Sequence, residues 1–190
     1  MKWAKVEEIP SYDSNIFLKT QLVEVEAMNA RNFREIKGMA YTRRKYMGGI
    51  PGSKIVKFTM GNPNRDFPFT VELVSLMEGN IRHNALESAR IAANRTLEPL
   101  GRENFMLKIV PYPHQVLREH KRINVAQADR FQEGMRQAYG KPSGTAAAVK
   151  RGKTIMRAKV EENHLVEAKR ALKKASDKFP VPCRIIIKKN

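Results

Sequence analysis

Alternating apolar and polar positions predict several β-strands along the chain. Residues 54–61 (KIVKFTMG) form one predicted strand, which the turn-rich GNPNRD ends. In the following PFTVELVSLME, Phe69, Val71 and Leu73 fall on one face, because successive side chains of a strand point to opposite faces. The same alternation in NFMLKIV predicts a third strand with inward residues at Phe105, Leu107 and Ile109.

Two other segments carry apolar residues at helical spacing. This spacing predicts a helix over residues 83–100, with Asn84 as its N-cap, Glu87 completing a capping box and Gly101 ending it. A second predicted helix covers residues 162–178. The apolar stripes are Leu86, Ala89, Ala93, Leu97 and Leu100 in the first helix, and Leu165, Ala168, Leu172 and Ala175 in the second.

The C-terminal part is predicted to contain three more strands. GTAAAVK and KTIMRAKV flank turn residues at Arg151–Gly152, which predicts a β-hairpin. The chain closes with CRIIIKK, expected to be a buried strand with Cys183 as a small core residue. Because helices and strands do not alternate one for one, we expect an α+β fold: a mostly antiparallel sheet with two main helices on one face, and basic extended loops.

Charge is unevenly distributed along the 190 residues. The net charge is +17; residues 1–30 hold three cations and five anions, which leaves 33 cations and 14 anions for residues 31–190. So many positive charges repel one another, and binding a polyanion reduces this repulsion. Binding phosphates also releases condensed counterions. We therefore interpret residues 31–190 as a single nucleic-acid-binding domain, and residues 1–30 as an N-terminal extension of unknown role, with Met28 as an alternative start.

Other classes of function lack the residues they need. There is no run of 18 apolar residues to span a membrane, and the single cysteine allows no internal disulfide or cysteine-based zinc cluster, which fits a reducing, intracellular location. The four histidines have no metal-ligand spacing, and His83 is expected to be a capping or surface group at a helix start. GKPSGT is not a nucleotide-binding phosphate loop, because Pro142 stands where that loop needs a hydroxyl. We expect no catalytic residue, no metal and no cofactor.

Basic residues gather in three clusters within glycine-rich or irregular segments. Arginine forks bind phosphate, tyrosine rings stack on unpaired bases, and glycine lets the backbone approach closely. Irregular basic loops suit folded RNA, whereas DNA readers usually present a recognition helix. The clusters are Tyr41, Arg43, Arg44, Lys45, Tyr46 and Lys54; then Arg118, Lys121, Arg122 and Arg130; then Arg136, Tyr139, Lys141, Lys150, Arg151 and Lys153.

Five blocks in order resemble one family of ribosomal proteins. They are AYTRRKYMGGIPGSKI, RHNALESARIAANR, PYPHQVLRE, ADRFQEGMRQAYGKPSGTAAAVKRG and CRIIIKK. The resemblance is to the large-subunit protein family called L-ten-e in archaea and eukaryotes and L-sixteen in bacteria. It runs from about Arg31 to the C-terminus, and the PGSKI block points to the archaeal–eukaryotic branch.

The resemblance implies a fold, a partner and a location. The fold is α/β-hammerhead-like, and the partner is large-subunit ribosomal RNA near the peptidyl-transferase centre in cytoplasmic ribosomes. Family members help shape the aminoacyl-tRNA corridor beside other ribosomal proteins, without catalysis by their side chains. A loop that maps onto residues 119–129, flanked by Arg118 and Arg130, reaches toward tRNA acceptor ends. The sequence departs from the family there, since INVAQADR replaces TGAGADR and puts Val125 and Gln127 where glycines are common.

Two alternative interpretations stay open from the sequence. One is an RNA-modifying or translation-associated enzyme acting on structured RNA, which would need an acid, base or metal constellation that the sequence does not reveal. The other is a basic nucleoid protein, which would bind duplex DNA as well as RNA.

Overall fold

The computed structural model of the protein describes residues 34–36, 42–119 and 140–189, and within these ranges it contains eight strands and two α-helices. The strands are β1 (Thr59–Gly61), β2 (Phe69–Ser75), β3 (Gly79–Arg82), β4 (Phe105–Ile109), β5 (Gln115–Glu119), β6 (Lys141–Val149), β7 (Thr154–Val160) and β8 (Cys183–Lys189). The helices are α1 (His83–Leu97) and α2 (Leu165–Ser176), and neither is long and apolar enough to cross a membrane. The predicted N-terminal extension, residues 1–30, lies outside the described residues.

The strands form two sheets. One has five strands in the order β1-β4-β7-β2-β8, and the other has three in the order β3-β6-β5. Every pairing among these strands is antiparallel. The predicted α+β class, with mostly antiparallel strands and two main helices, is therefore confirmed.

Both helices pack onto one face of the five-stranded sheet. The predicted stripes of α1 and α2 are buried, except that Leu100 and Leu165 at their ends are only partly buried. They share one core with Val71 and Leu73 of β2, and with Ile81 of the three-stranded sheet. Burying each valine, leucine or isoleucine side chain of this core contributes about 1.5–3 kcal/mol. The inward-facing residues of β2 and β4 and the apolar stripes of the two helices thus pack into a single core.

The predicted hairpin of residues 144–160 is wrong in its pairing. The turn itself forms, since the Lys153 N–H donates to the Lys150 carbonyl at 3.2 Å and Gly152 has φ 78°. The two strands then separate, because β6 pairs with β3 and β5 whereas β7 pairs with β2 and β4. Turn residues determine a reversal of direction locally, but they do not determine which partner each strand finds.

Two further expectations are corrected, one about the start of α1 and one about the C-terminal strand. Asn84 does not cap α1: the helix begins at His83, and the Asn84 side-chain oxygen accepts from the adjacent Ala85 N–H at 2.9 Å. The closing strand is not buried, because β8 is an edge strand that pairs, among the described strands, only with β2. Ile186 and Ile187 are consequently 37% and 40% exposed. Cys183 is half-buried, and this burial raises the pKa of its thiol to about 11.

Candidate nucleic-acid interface

The turn between β6 and β7 presents Lys150, Arg151 and Lys153, all exposed as predicted. Its backbone is fixed at the end of β2, where Ser75 accepts from the Gly152 N–H at 2.8 Å and donates to the Lys153 carbonyl at 3.0 Å. Gly152 supplies the positive φ of this tight turn at no steric cost. Three cations therefore stand on a short, anchored turn.

The first predicted cluster lies on a surface turn. Arg43, Lys45 and Tyr46 are exposed, and Tyr46 is 76% exposed. Residues Arg44–Tyr46 form one 3-10 turn, which the Arg44 guanidinium ties to the Pro113 carbonyl through a weak 3.5 Å hydrogen bond. An exposed ring beside three cations suits both stacking on a base and contact with phosphates. Tyr41 lies outside the described residues.

Lys54, also exposed, belongs to a different neighbourhood that contains His83. The expectation for His83 is wrong: the ring is buried, and its Nδ1 lies 2.9 Å from the Thr145 hydroxyl oxygen on β6. Burial lowers the pKa of His83, and the positive charges of Lys54 and Arg82 lower it further. The imidazole is therefore neutral at physiological pH, and it acts as a packing group between α1 and the three-stranded sheet.

Arg118 and Lys141 lie on strands rather than in the irregular segments expected for them. In the β5–β6 ladder, Arg118 pairs with Pro142 and Glu119 pairs with Lys141. The Arg118 guanidinium donates to the Gly140 carbonyl through Nε at 3.1 Å and Nη2 at 2.8 Å. Arg118 thus holds together the two chain positions between which residues 120–139 run. The remaining predicted cations and ring of this region lie outside the described residues: Lys121, Arg122, Arg130, Arg136 and Tyr139.

The structure joins some of the predicted clusters and divides others. Arg118 and Lys141 come from different clusters but lie at the same end of the three-stranded sheet. Lys141 and Lys150 come from one cluster but stand at opposite ends of β6. A strand of this length separates them by about 30 Å. Closeness in sequence is therefore a poor guide to which cations share a surface.

Sequence reasoning missed a set of cations on the five-stranded sheet. We use the name outer face for the side of this sheet opposite the helices, as the pairing register defines it. An observable signal was present, because cations alternate with buried residues along β4 and β7. The cations of the outer face are Lys108, Arg157, Lys159, Arg184 and Lys188.

One carboxylate, Glu72, lies among these cations. Its side chain is only 4% exposed, and its oxygens accept from Arg157 at 2.7 and 2.8 Å and from Lys188 at 2.7 Å. Burial would raise the pKa of Glu72, but the hydrogen bonds and charges of Lys188 and Arg157 outweigh it, so that the pKa is lowered. Glu72 is therefore ionised at neutral pH, and it holds two cations in place.

The described part of the chain contains no group of three or more His, Cys, Asp or Glu side chains that could hold a metal ion. A cleft of about 440 Å³ between β1 and α1 is lined by Lys57, Arg90, Arg102 and Glu98 among others. Arg90 already pairs with Glu87 at 2.6 Å, and this hydrogen bond lowers the pKa of Glu87. The chemistry of the described surface is thus that of exposed cations.

Comparison with known proteins points in the same direction. The family model described as "Ribosomal protein L16p/L10e" matches residues 36–186. The large ribosomal subunit protein uL16 of Staphylothermus marinus is 51% identical over 160 residues, covering 84% of this chain and 92% of that protein. The uL16 protein of Thermoplasma volcanium is 50% identical over 161 residues, with the same coverage of 84% and 92%. That of Methanosphaerula palustris is 48% identical over 158 residues, covering 83% and 91%.

Proposed function

The chain belongs to the L16p/L10e family of ribosomal proteins, and from this premise we propose that it is a structural constituent of the large ribosomal subunit. In that role it binds ribosomal RNA near the peptidyl-transferase centre and helps shape the aminoacyl-tRNA corridor. The relatives described above carry the names of ribosomal proteins and not of enzymes, so the enzyme alternative is set aside.

The observation that carries this proposal is the position of the cations. The cations among the described residues lie on turns, strand ends and irregular segments, most of them exposed to solvent, around one hydrophobic core. Contacts with phosphates need cations held at fixed positions, because each contact displaces condensed counterions and sets the orientation of the protein. The location near the peptidyl-transferase centre rests on the family resemblance alone.

We assign the two groups of predicted residues to two contacts. The ribosomal RNA contact uses Tyr41, Arg43, Arg44, Lys45, Tyr46, Lys54, Arg136, Tyr139, Lys141, Lys150, Arg151 and Lys153. The contact near tRNA acceptor ends uses Arg118, Lys121, Arg122 and Arg130. Arg118 acts there mainly at the base of the loop, since its guanidinium already binds the Gly140 carbonyl. Neighbouring ribosomal proteins in the cytoplasmic ribosome complete the partners, and residues 31–190 form the single RNA-binding domain.

Salt dependence tests the RNA contact. With roughly eight phosphate contacts, the slope of log affinity against log salt should lie near −6 to −7. The measurement is filter binding of the full chain to a structured large-subunit RNA fragment, with duplex DNA of equal length as competitor. The ribosomal RNA should win at every salt concentration. Equal competition by duplex DNA would contradict the proposal and favour the nucleoid alternative.

Deleting residues 121–127 tests the contact near tRNA. We expect the shortened chain to enter large subunits, because the Glu119–Lys141 pairing and the Arg118 hydrogen bonds hold the base of the loop without it. Accommodation of aminoacyl-tRNA in the assembled ribosomes should slow. The control is removal of residues 1–27, which carry a net negative charge and should change neither step. Lost incorporation with normal accommodation would overturn the assignment.

A further inference from the structure

Both helices that the structure describes lie on the side of the five-stranded sheet opposite the outer face. The side chains of α1 and α2 share their core with Val71 and Leu73 of β2, which point to the other side of the sheet. Val74, on the outer face, is buried but belongs to no part of that core. Long basic side chains on the flanking strands cover such positions with their aliphatic stems while keeping their charges in water. The outer face is therefore a cation-covered surface.

Three cations of this face have no partner within the described chain. The side chains of Lys108, Lys159 and Arg184 make no hydrogen bond or ion pair with any residue that the structure describes. They lie on β4, β7 and β8, so they span four neighbouring strands of the five. Strands are about 4.8 Å apart, so the three charges are spread over about 14 Å in the direction across the strands. The face carries five cations in all, and the one carboxylate, Glu72, leaves an excess of four positive charges.

Glu72 makes this arrangement rigid. Its buried carboxylate fixes the Arg157 guanidinium and the Lys188 ammonium on either side of β2, although these partners are 39% and 58% exposed. Both oxygens of Glu72 are occupied by these hydrogen bonds, so the carboxylate presents little free negative charge to a ligand. The partly exposed cations keep donors available to solvent or to an anion. Glu72 is in this sense a positioning residue.

The residue types of the outer face select the kind of ligand. Its paired positions carry no aromatic side chain, so it offers nothing on which unpaired bases could stack. Lysine and arginine side chains can instead bind the sugar–phosphate backbone of a folded RNA. A protein partner would need a matching acidic surface, and lysines such as Lys108 and Lys159 are depleted at the centre of protein interfaces.

We propose that the outer face is a second RNA-binding surface, which takes the backbone of folded ribosomal RNA independently of the basic turns and loops. This inference rests on the proposed function, and it adds an RNA contact to those of the basic turns and loops. The basic turns and strand ends contact RNA at their own positions, and the sheet lies against a second RNA segment.

Charge removal on this face tests the proposal. The variant Lys108→Gln, Lys159→Gln, Arg184→Gln should bind the large-subunit RNA fragment about tenfold more weakly, with a salt slope shallower by about 3. The matched control, Lys169→Gln, Arg170→Gln, Lys173→Gln, removes the same charge from the exposed side of α2. It should change both quantities by much less. Circular dichroism checks that both variants fold.

A second readout locates the RNA on the wild-type chain directly. Lys108 and Lys159 should become protected from acetylation when the RNA binds, while Lys169 and Lys173 should stay reactive. Equal affinity losses in the two triple variants, or unprotected Lys108 and Lys159, would overturn the outer-face proposal alone. A wild-type protein that shows no preference for ribosomal RNA over duplex DNA would overturn the proposed function as well.

Discussion

Replacing Gly61 with alanine should destabilise the fold by at least about 3 kcal/mol. Gly61 ends β1 with φ 81°, where a side chain is strained, and it pairs with Met106 of β4. A Cβ atom there would lie 2.0 Å from the Phe105 carbonyl oxygen, which also accepts a hydrogen bond from Asn62 at 3.0 Å. The backbone of β4 would have to move to make room for the added Cβ atom, and this movement would disturb the pairing of β1 with β4.

Urea denaturation followed by circular dichroism measures this effect. The control is Gly152→Ala, because Gly152 has a similar φ of 78° but nothing within 4 Å of an added Cβ. That variant isolates the backbone strain, which costs about 1–2 kcal/mol. Equal losses for Gly61→Ala and Gly152→Ala would show that the close approach to Phe105 is unimportant.

The Glu72→Gln variant should be about 2 kcal/mol less stable than the wild type at neutral pH. The change removes the negative charge to which Arg157 and Lys188 donate, in a position that is 4% exposed. Because these two partners are partly solvated, the loss should be smaller than for a fully buried pair. Glu78→Gln is the control, because the Glu78 side chain is exposed and has no hydrogen bond or ion pair within the described residues. That variant should lose almost no stability.

The pH dependence of this difference follows from the lowered pKa of Glu72. A group whose pKa is lower in the folded state stabilises the fold above its unfolded value, here 4.5, and loses that contribution as the pH falls through the folded value. The gap in unfolding free energy between wild type and Glu72→Gln should therefore be full near pH 7 and shrink below pH 4.5. A gap that stays constant down to pH 3 would contradict the ion-pair account.

Hydrophobic periodicity predicted the helices and most strands well, because each periodic pattern depends on one helix or strand only. The apolar stripe of residues 83–100 and the alternation of Phe69, Val71 and Leu73 each follow from the periodicity of one helix or strand. The error at Arg151–Gly152 has the opposite origin. The turn residues were identified correctly, but the pairing of β7 with β2 and β4 depends on segments far away in sequence.

The candidate site was less predictable than the fold. Grouping cations by closeness in sequence put Lys141 with Lys150, which lie at opposite ends of β6. The same grouping missed Lys108, Lys159 and Arg184, because each stands alone in its own segment. Only the strand order brings these three onto one face. Alternation along each strand would have shown that these three side chains point away from the core. It would not have shown that they lie on the same face of one sheet.

The helices, most strands, the basic character of residues 31–190 and the family can all be predicted from the sequence. These properties follow from side-chain period, charge and ordered motifs, all of which are local or additive along the chain. Three features appear only in the folded protein: the strands divide into two sheets, His83 is buried, and Glu72 joins Arg157 to Lys188. The physical reason is that strand pairing and burial depend on which distant segments can cover each other's apolar faces, and no local pattern records that choice.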